Sequence, residues 1–186
     1  SGKIALVTGA SRGIGESLAI GLADHGTDVI ICDLESESKG LANTHKQIEK
    51  TGKKCWSYFL DVTKKSQIQN MVSDILNDIG SIDILVNNAG ILTPTSLEDI
   101  DEETWDSHFE VNTKGVLLMC QSVLPHMREK KFGRIINIAS IAGRQGSPTQ
   151  GHYASTKSAV ITLTRVLAQE VGEAGITVNA ICPGII

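Results

Sequence analysis

Tyr153 and Lys157 stand four positions apart in the chain, and together their side chains could move a proton. On a helix, positions i and i+4 lie on one face, roughly 40° apart, so both side chains can reach one cleft. Free tyrosine ionises near pH ~10, too high for a base at neutral pH, but a neighbouring ammonium favours the phenolate. The pair predicts acid–base chemistry, although the same spacing is also common on surface helices.

Ser140 and Asn112 are two further polar residues that could assist this pair. Ser140 ends an apolar strand, and open parallel sheets bind their ligands where the strands end. A hydroxyl there could donate a hydrogen bond to a substrate oxygen and orient it. Asn112 interrupts a helical stretch, where asparagine is a poor helix former. Taken alone, Ser140 could equally be a loop serine and Asn112 a surface residue.

A glycine-rich turn follows the first apolar run of the chain and opens the first helical stretch. Glycines let the backbone turn tightly and approach a ligand closely, and a helix N-terminus offers unpaired N–H groups to a pyrophosphate. The turn therefore predicts a dinucleotide site. Its expected cofactor-binding residues are Gly9, Ser11, Arg12, Gly13, Ile14 and Gly15.

Asp33 ends the second predicted strand, where an acidic residue meets the ribose hydroxyls of a dinucleotide, and Leu34, which follows it, is also expected to bind the cofactor. The Asp33 carboxylate would repel a 2′-phosphate, which favours NAD over NADP. Arg12 could instead pair with that phosphate, so NADP stays possible. We give Asp33 more weight, because desolvating two like charges against each other is costly, whereas an arginine can turn into water.

Short apolar strands alternate with longer amphipathic segments along the whole chain. The strands are nearly continuous runs rich in Ile and Val, typical of a parallel sheet that is covered on both faces. We predict strands at Lys3–Val7, Asp28–Asp33, Cys55–Asp61, Ile82–Asn87, Arg134–Ala139 and Thr177–Ile181. Helices are predicted at Gly13–Asp24, Glu37–Lys50, Lys65–Ile79, Glu102–Arg128 and Tyr153–Glu173, closed or followed by Gly26, Gly52, Gly80, Gly133 and Gly175. This alternation predicts one α/β domain with a doubly wound parallel sheet and helices on both faces.

Composition excludes several other classes of protein. The net charge is −4 and no basic run follows a phosphate backbone, which argues against a nucleic-acid partner. The four cysteines form no CxxC pair and the histidines are scattered, so neither a disulfide framework nor a metal site is expected. No apolar stretch is long enough to cross a membrane, and a cytoplasmic protein is the expectation.

Taken together, the glycine turn, the Asn87–Gly90 stretch and the Tyr153–Lys157 stretch resemble the short-chain dehydrogenase/reductases, in their compact single-domain branch. Asn112, Ser140 and Pro183–Gly184 follow the same pattern in the same order. The resemblance implies a single NAD(P)-binding, Rossmann-like domain over residues 1–186 that also carries the catalytic residues. It implies Tyr153 as general acid/base, assisted by Lys157, Ser140 and Asn112, the last through a water-linked proton relay.

The resemblance also implies further roles and partners. Asp61 and Val62 would hold the adenine. The ribose would pack beside Asn88, Ala89 and Gly90. Tyr153 and Lys157 would also contact the cofactor. Pro183, Gly184 and Ile186 would contact the nicotinamide. The long helices at Glu102–Arg128 and Tyr153–Glu173 would pair in a homodimer or homotetramer. The family usually continues past this point into a substrate lid, a helix and a final strand, so a C-terminal part is expected to be missing.

The substrate is expected to be a small alcohol or ketone, and its class stays open. The Ala142–Gly146 segment is similar to that of polyol and keto-sugar dehydrogenases. The glycine turn is equally similar to that of reductases of 3-oxoacyl thioesters. A third alternative is a truncated dinucleotide-binding scaffold without turnover, because the lid is not part of this sequence.

Overall fold

The strands of this chain form one parallel sheet in the computed structural model, which describes residues 2–184. They are β1 (Ile4–Thr8), β2 (Asp28–Asp33), β3 (Cys55–Phe59), β4 (Ile84–Asn87), β5 (Gly133–Ile138) and β6 (Ile176–Ile181). Their order across the sheet is β3-β2-β1-β4-β5-β6, and every neighbouring pair is parallel. The predicted doubly wound parallel sheet is confirmed.

The helices follow the predicted segments, with one division and one addition. They are α1 (Gly13–Asp24), α2 (Ser38–Lys50), α3 (Lys65–Asp78), α4 (Glu102–Phe109), α5 (Gly115–Lys130), α6 (Ala142–Gln145) and α7 (Gly151–Val171). Short 3₁₀ turns lie at Glu35–Glu37, Leu97–Asp99 and Gly172–Ala174.

The two faces of the sheet carry two separate apolar cores. Because neighbouring strand residues point to opposite faces, Leu6 and Ile30 belong to one core, and Val7 and Ile31 to the other. Helices α3, α5 and α7 cover the first core, and α1 and α2 cover the second. The prediction of helices on both faces is therefore confirmed.

The prediction of one unbroken helix over Glu102–Arg128 is wrong. A π-helical turn, Glu110–Lys114, separates α4 from α5. Within it Asn112 is fully buried, and its side chain bonds to the backbone of Ile91 instead of facing solvent. Such widened turns are frequent at functional sites. Helix α6 was not predicted, because four residues are too few for a periodic pattern.

Gly133 follows α5, as predicted, but does not close it. The left-handed residue that ends α5 is Lys131, with φ 51°. Gly133 is instead the first residue of β5, where a Cβ would press against the thioether of Met127. The other four predicted helix-closing glycines do adopt positive φ.

Candidate cofactor cleft and active site

A cleft of about 440 Å³ opens at the C-terminal ends of β1, β2 and β4. β1 pairs with β2 on one side and with β4 on the other, so the strand order reverses here, where open α/β sheets bind their ligands. Most of the predicted cofactor-binding residues line this cleft: Gly9, Ser11, Arg12, Gly13, Ile14, Asp33, Leu34, Asp61, Val62, Asn88, Ala89 and Gly90.

The glycine turn has the geometry that a pyrophosphate requires. Gly9 and Gly13 have φ 65° and 58°, the left-handed region that favours glycine. No atom lies within 4 Å of the place that a Cβ of Gly13 would take, and no side chain caps the N-terminus of α1. The N-terminus of α1 therefore has no side-chain cap among the described residues, and the turn fits a dinucleotide phosphate.

Gly15 contributes to this turn by packing. It is buried, and a Cβ there would collide with the carbonyl oxygen of Gly9 and the side-chain amide of Asn88. Gly15 therefore does not line the cleft but lets α1 approach the strand ends closely.

Thr8 and Asn88 join the glycine turn to the segment after β4. The Thr8 hydroxyl oxygen accepts hydrogen bonds from the N–H groups of Asn88 (3.1 Å) and Ala89 (3.0 Å). In return, the Asn88 side-chain amide donates to the carbonyls of Thr8 (3.1 Å) and Gly9 (2.9 Å). Thr8 was missed from the sequence, where its only signal is a polar residue that ends an apolar strand.

Asp33 lies in the cleft, but most of its acceptor capacity is already used. One carboxylate oxygen accepts from the N–H (3.0 Å) and the hydroxyl of Ser11, and the other accepts from the N–H of Leu34 (2.9 Å). A carboxylate offers about four acceptor sites. About one therefore remains for a ribose hydroxyl, and the same residue also holds the glycine turn against β2.

Arg12, the residue that could favour NADP, has an acidic partner. Its guanidinium lies 3.3 Å from a carboxylate oxygen of Glu37 and its side chain is 79% exposed. Glu37 also lines the cleft. This carboxylate was missed from the sequence, because its contact with Arg12 depends on how β2 leads into α2.

Asp61 follows β3 and Pro183 follows β6, the two edge strands of the sheet. The Asp61 carboxylate accepts from the N–H (2.9 Å) and hydroxyl (2.7 Å) of Thr63, and thereby shapes the end of β3. The Pro183 carbonyl accepts from the N–H of Ile141 (2.9 Å), which places it beside Ser140, and Gly184 is exposed. Ile186 lies outside the described residues.

Lys157 is the buried cation of the site. Its side chain is on α7, the residue is 4% exposed, and its ammonium donates to the carbonyl of Ile138 at 2.7 Å. The ammonium nitrogen lies 5.6 Å from the centre of the Tyr153 ring. Burial lowers the pKa of Lys157 from 10.5 to about 8. The predicted tyrosine–lysine pair is thus brought together in the structure.

Ser140 is brought to the same place by the short helix α6. Its hydroxyl oxygen accepts from the N–H of Ala142 (3.1 Å), and its carbonyl accepts from the N–H of Gly143 (3.1 Å). Any Cβ on Gly143 would fall 2.7 Å from the backbone of Lys157. Because glycine permits this close contact, α6 holds Ser140 against the helix that carries Tyr153.

Asn112 connects the loop after β4 to α7. Its side-chain amide donates to the carbonyl of Ile91 (2.9 Å) and to the hydroxyl of Thr156 (3.1 Å), and its side-chain oxygen accepts from the N–H of Ile91 (2.8 Å). A Cβ on Gly90 would lie 3.1 Å from that oxygen and 3.5 Å from the Lys157 ammonium. Asn112, Gly90 and Lys157 therefore meet at one point.

Within residues 2–184, no three His, Cys, Asp or Glu side chains gather as a metal ion would need. None of the helices in that range has the length and apolar character to span a bilayer.

Comparison with known proteins agrees with this geometry. Residues 3–186 match the protein-family model described as "short chain dehydrogenase". A 3-oxoacyl-(acyl-carrier-protein) reductase FabG from Staphylococcus epidermidis is 41% identical over 184 residues, which cover 99% of this chain and 75% of that protein. The FabG of Thermotoga maritima is 40% identical over 185 residues, covering 100% of this chain and 74% of that protein.

Among solved structures, an NAD⁺-bound xylitol dehydrogenase superposes with a TM-score of 0.95 at 33% identity, over 99% of this chain and 70% of that one. The chain therefore belongs to the short-chain dehydrogenase family. It is an oxidoreductase, and enzymes of this family use NAD(P), act on hydroxyl or keto groups of small molecules, and are typically oligomeric.

Proposed function

We propose that this chain interconverts a secondary alcohol and a ketone, with Tyr153 as the general acid/base and NAD as the preferred cofactor. The observation that carries the proposal is the convergence of Tyr153, Lys157, Ser140 and Asn112 beside the cleft at the strand ends. We further propose that cleft and catalytic residues belong to a single domain. The residues that line the cleft would bind the dinucleotide, and its nicotinamide end would lie beside Pro183.

The chemistry divides between cofactor and protein. A bound nicotinamide supplies or accepts the hydride at the carbinol carbon. In alcohol oxidation, the Tyr153 phenolate takes the hydroxyl proton as the C–H bond gives up its hydride, which leaves a ketone; in reduction, the Tyr153 hydroxyl returns that proton. The Lys157 ammonium favours the phenolate, and the Ser140 hydroxyl donates to the substrate oxygen. Asn112 would hold a water that passes protons on from Lys157.

The preference for NAD rests on the charges at the ribose end of the cleft. Asp33 keeps an acceptor site for a ribose hydroxyl, and Glu37 adds a second carboxylate that pairs with Arg12. A 2′-phosphate would have to meet one carboxylate and compete with the other for the arginine. That a structural relative is an NAD⁺-bound xylitol dehydrogenase supports the same choice.

For the substrate we propose a polyol or keto-sugar, with a 3-oxoacyl thioester as the second candidate. The first is supported by the Ala142–Gly146 segment and by the xylitol dehydrogenase relative, and the second by the reductases at about 40% identity. Initial rates on a sugar-alcohol panel with NAD and on a thioester panel with NADH and NADPH separate the two. Dinucleotide binding with no turnover on either panel would instead support the third alternative, a dinucleotide-binding scaffold without enzymatic activity.

The proton-transfer role is tested by removing one oxygen atom. Tyr153→Phe should lower turnover by at least ~100-fold, the range of general acid–base catalysis, while NAD affinity changes little. Tyr58→Phe removes the same atom from the only other tyrosine, on β3, and serves as the matched control. Turnover retained in the Tyr153 variant would mean that the proton travels elsewhere.

We also propose that the exposed apolar face of α5 and α7 is covered by a second copy of this chain. A groove of about 530 Å³ lies between these helices, and the residues that line it include the apolar Phe109, Leu117, Leu163 and Val166, with Glu110 and Lys114 among its polar lining residues. Leu117 is 38% and Val166 is 46% exposed, an unusual state for adjacent large apolar groups. The typical oligomeric state of the family supports this assignment.

A further inference from the structure

Two fully buried histidines lie beside the candidate active site. His108 is on α4 and His152 is on α7, directly before Tyr153, and they are 1% and 0% exposed. Their rings meet edge to face, with centroids 4.1 Å apart. The sequence predicts no catalytic role for either residue, since neither falls at a catalytic position of the family that the chain resembles.

Both histidines bond to the backbone of one residue, Thr93, in the loop after β4. His108 Nε2 lies 3.2 Å from the N–H of Thr93, and His152 Nε2 lies 3.0 Å from its carbonyl oxygen. Since an N–H can only donate and a carbonyl can only accept, Nε2 of His108 is an unprotonated acceptor and Nε2 of His152 carries a proton. The second ring nitrogen of His108 donates to the carbonyl of Thr104 at 2.7 Å. His108 is therefore neutral, and its burial, which lowers its pKa, favours this state.

The loop after β4 is held by hydrogen bonds to the backbone of every second residue, at Ile91, Thr93 and Thr95. Asn112 bonds to the backbone of Ile91, the histidines bond to Thr93, and the N–H of Thr95 donates to the carbonyl of Thr149 at 2.7 Å. Thr149 has φ 61°, a left-handed conformation that is rare for a β-branched residue, so the surrounding contacts must maintain it.

The course of the loop brings it past Tyr153. It starts at Gly90, next to the Lys157 ammonium, and reaches Gln150 where Thr95 forms a bridge with the start of α7. Tyr153 lies between those two points on α7. Residues 91 to 94 are exposed and Ile91 also lines the cleft, so this stretch borders the site.

We propose that His108 and His152 are positioning residues, which fix the substrate-facing loop beside Tyr153 by holding both backbone groups of Thr93. The inference rests on the proposed role of Tyr153. At His152 the requirement is for a single donor at the Nε2 position, because its other ring nitrogen has no partner among the described residues. A glutamine can place an N–H at a similar distance from the backbone, whereas a leucine of similar size has none.

The matched pair His152→Gln and His152→Leu tests this requirement. His152→Leu should raise KM about tenfold or more and also lower kcat, as the loss of a buried hydrogen bond predicts. His152→Gln should stay within about threefold of the parent chain, since it keeps the donor. His25→Leu, at an exposed position after α1, is the control for removing a histidine. Equal kinetics of the Gln and Leu variants, whether both intact or both impaired, would overturn the proposal.

Hydrogen exchange keeps the test independent of turnover. In His152→Leu the hydrogen-bonded amides of Ile91, Thr93 and Thr95 should exchange at least about tenfold faster, while His152→Gln keeps their protection. NAD binding, measured by fluorescence, shows that each variant is folded. If the parent chain turned over no substrate, the proposed function would fail. The difference in hydrogen exchange would still test whether the histidines hold the backbone of Thr93. Unchanged protection in folded His152→Leu would refute it.

Discussion

Replacing Lys157 by methionine should stabilise the fold at neutral pH while it removes turnover. Methionine is apolar and of similar length, so it can occupy the same buried space. The pKa of Lys157 falls from 10.5 to about 8 through burial, and at about 1.4 kcal/mol per pKa unit the folded state disfavours the ammonium by roughly 3 kcal/mol. Losing the hydrogen bond to the Ile138 carbonyl costs about 1–2 kcal/mol in return. The expected net gain is therefore about 1–2 kcal/mol at pH 7.

This gain should depend on pH in a definite direction. The unfolded chain keeps the Lys157 proton up to about its ordinary pKa of 10.5, whereas the folded chain releases it near pH 8. Between these values the unfolded state binds more protons, so the parent chain becomes more stable as pH rises. The burial penalty is complete below pH 8 and declines above it. The advantage of the methionine variant should shrink by about 1 kcal/mol between pH 7 and pH 9.

Urea unfolding at these two pH values, at fixed protein concentration, measures both effects. Lys46→Met, at an exposed position on α2, is the control, and its stability relative to the parent should not change with pH. In the same preparations turnover of Lys157→Met should fall by at least ~100-fold. A methionine variant that is less stable than the parent at pH 7, by an amount that is the same at pH 9, would refute the reasoning.

Two further predictions concern the cofactor and the assembly. Glu37→Gln should release Arg12 and tighten NADP binding roughly fivefold, the scale of an exposed ion pair, with little change in NAD binding. Calorimetry measures both affinities, and Glu35→Gln is the control. Unchanged NADP affinity would contradict the role of Glu37. Val166→Glu should break the copy-to-copy contact by burying a charge in the apolar groove, which light scattering detects as a smaller particle. Gln169→Glu, exposed further along the same helix, should leave the particle unchanged, and an unaltered mass in the Val166 variant would count against that interface.

The sheet and its main helices could be predicted because their signals are local. Apolar strand runs such as Val29–Cys32 bury both faces, and the glycine turn stands directly between β1 and α1. The π-helical turn could not be predicted, because what holds it is the bond between Asn112 and the backbone of Ile91. A backbone partner leaves no mark in the sequence, and the chain order does not show that the two segments meet.

The candidate site divides in the same way. The proposed catalytic residues and most cleft residues follow family spacing, and the structure places Tyr153 and Lys157 together. The histidine pair depends on α4, α7 and the β4 loop meeting at Thr93, and the pair Arg12–Glu37 depends on the path from β2 to α2. Contacts that need three elements at once are decided by packing and not by local pattern.

The strand order also bears on how the chain folds during synthesis. β1, β2 and β3 are neighbours in sequence and in the sheet, so they can pair as soon as they emerge, whereas β1 must wait for β4. The cleft lies across this seam, with Asp33 on one side and Asn88 on the other. A nascent chain that has not yet made β4 therefore lacks one wall of the cleft. We expect the dinucleotide to bind only after β4 has paired with β1, because only then do both walls of the cleft exist.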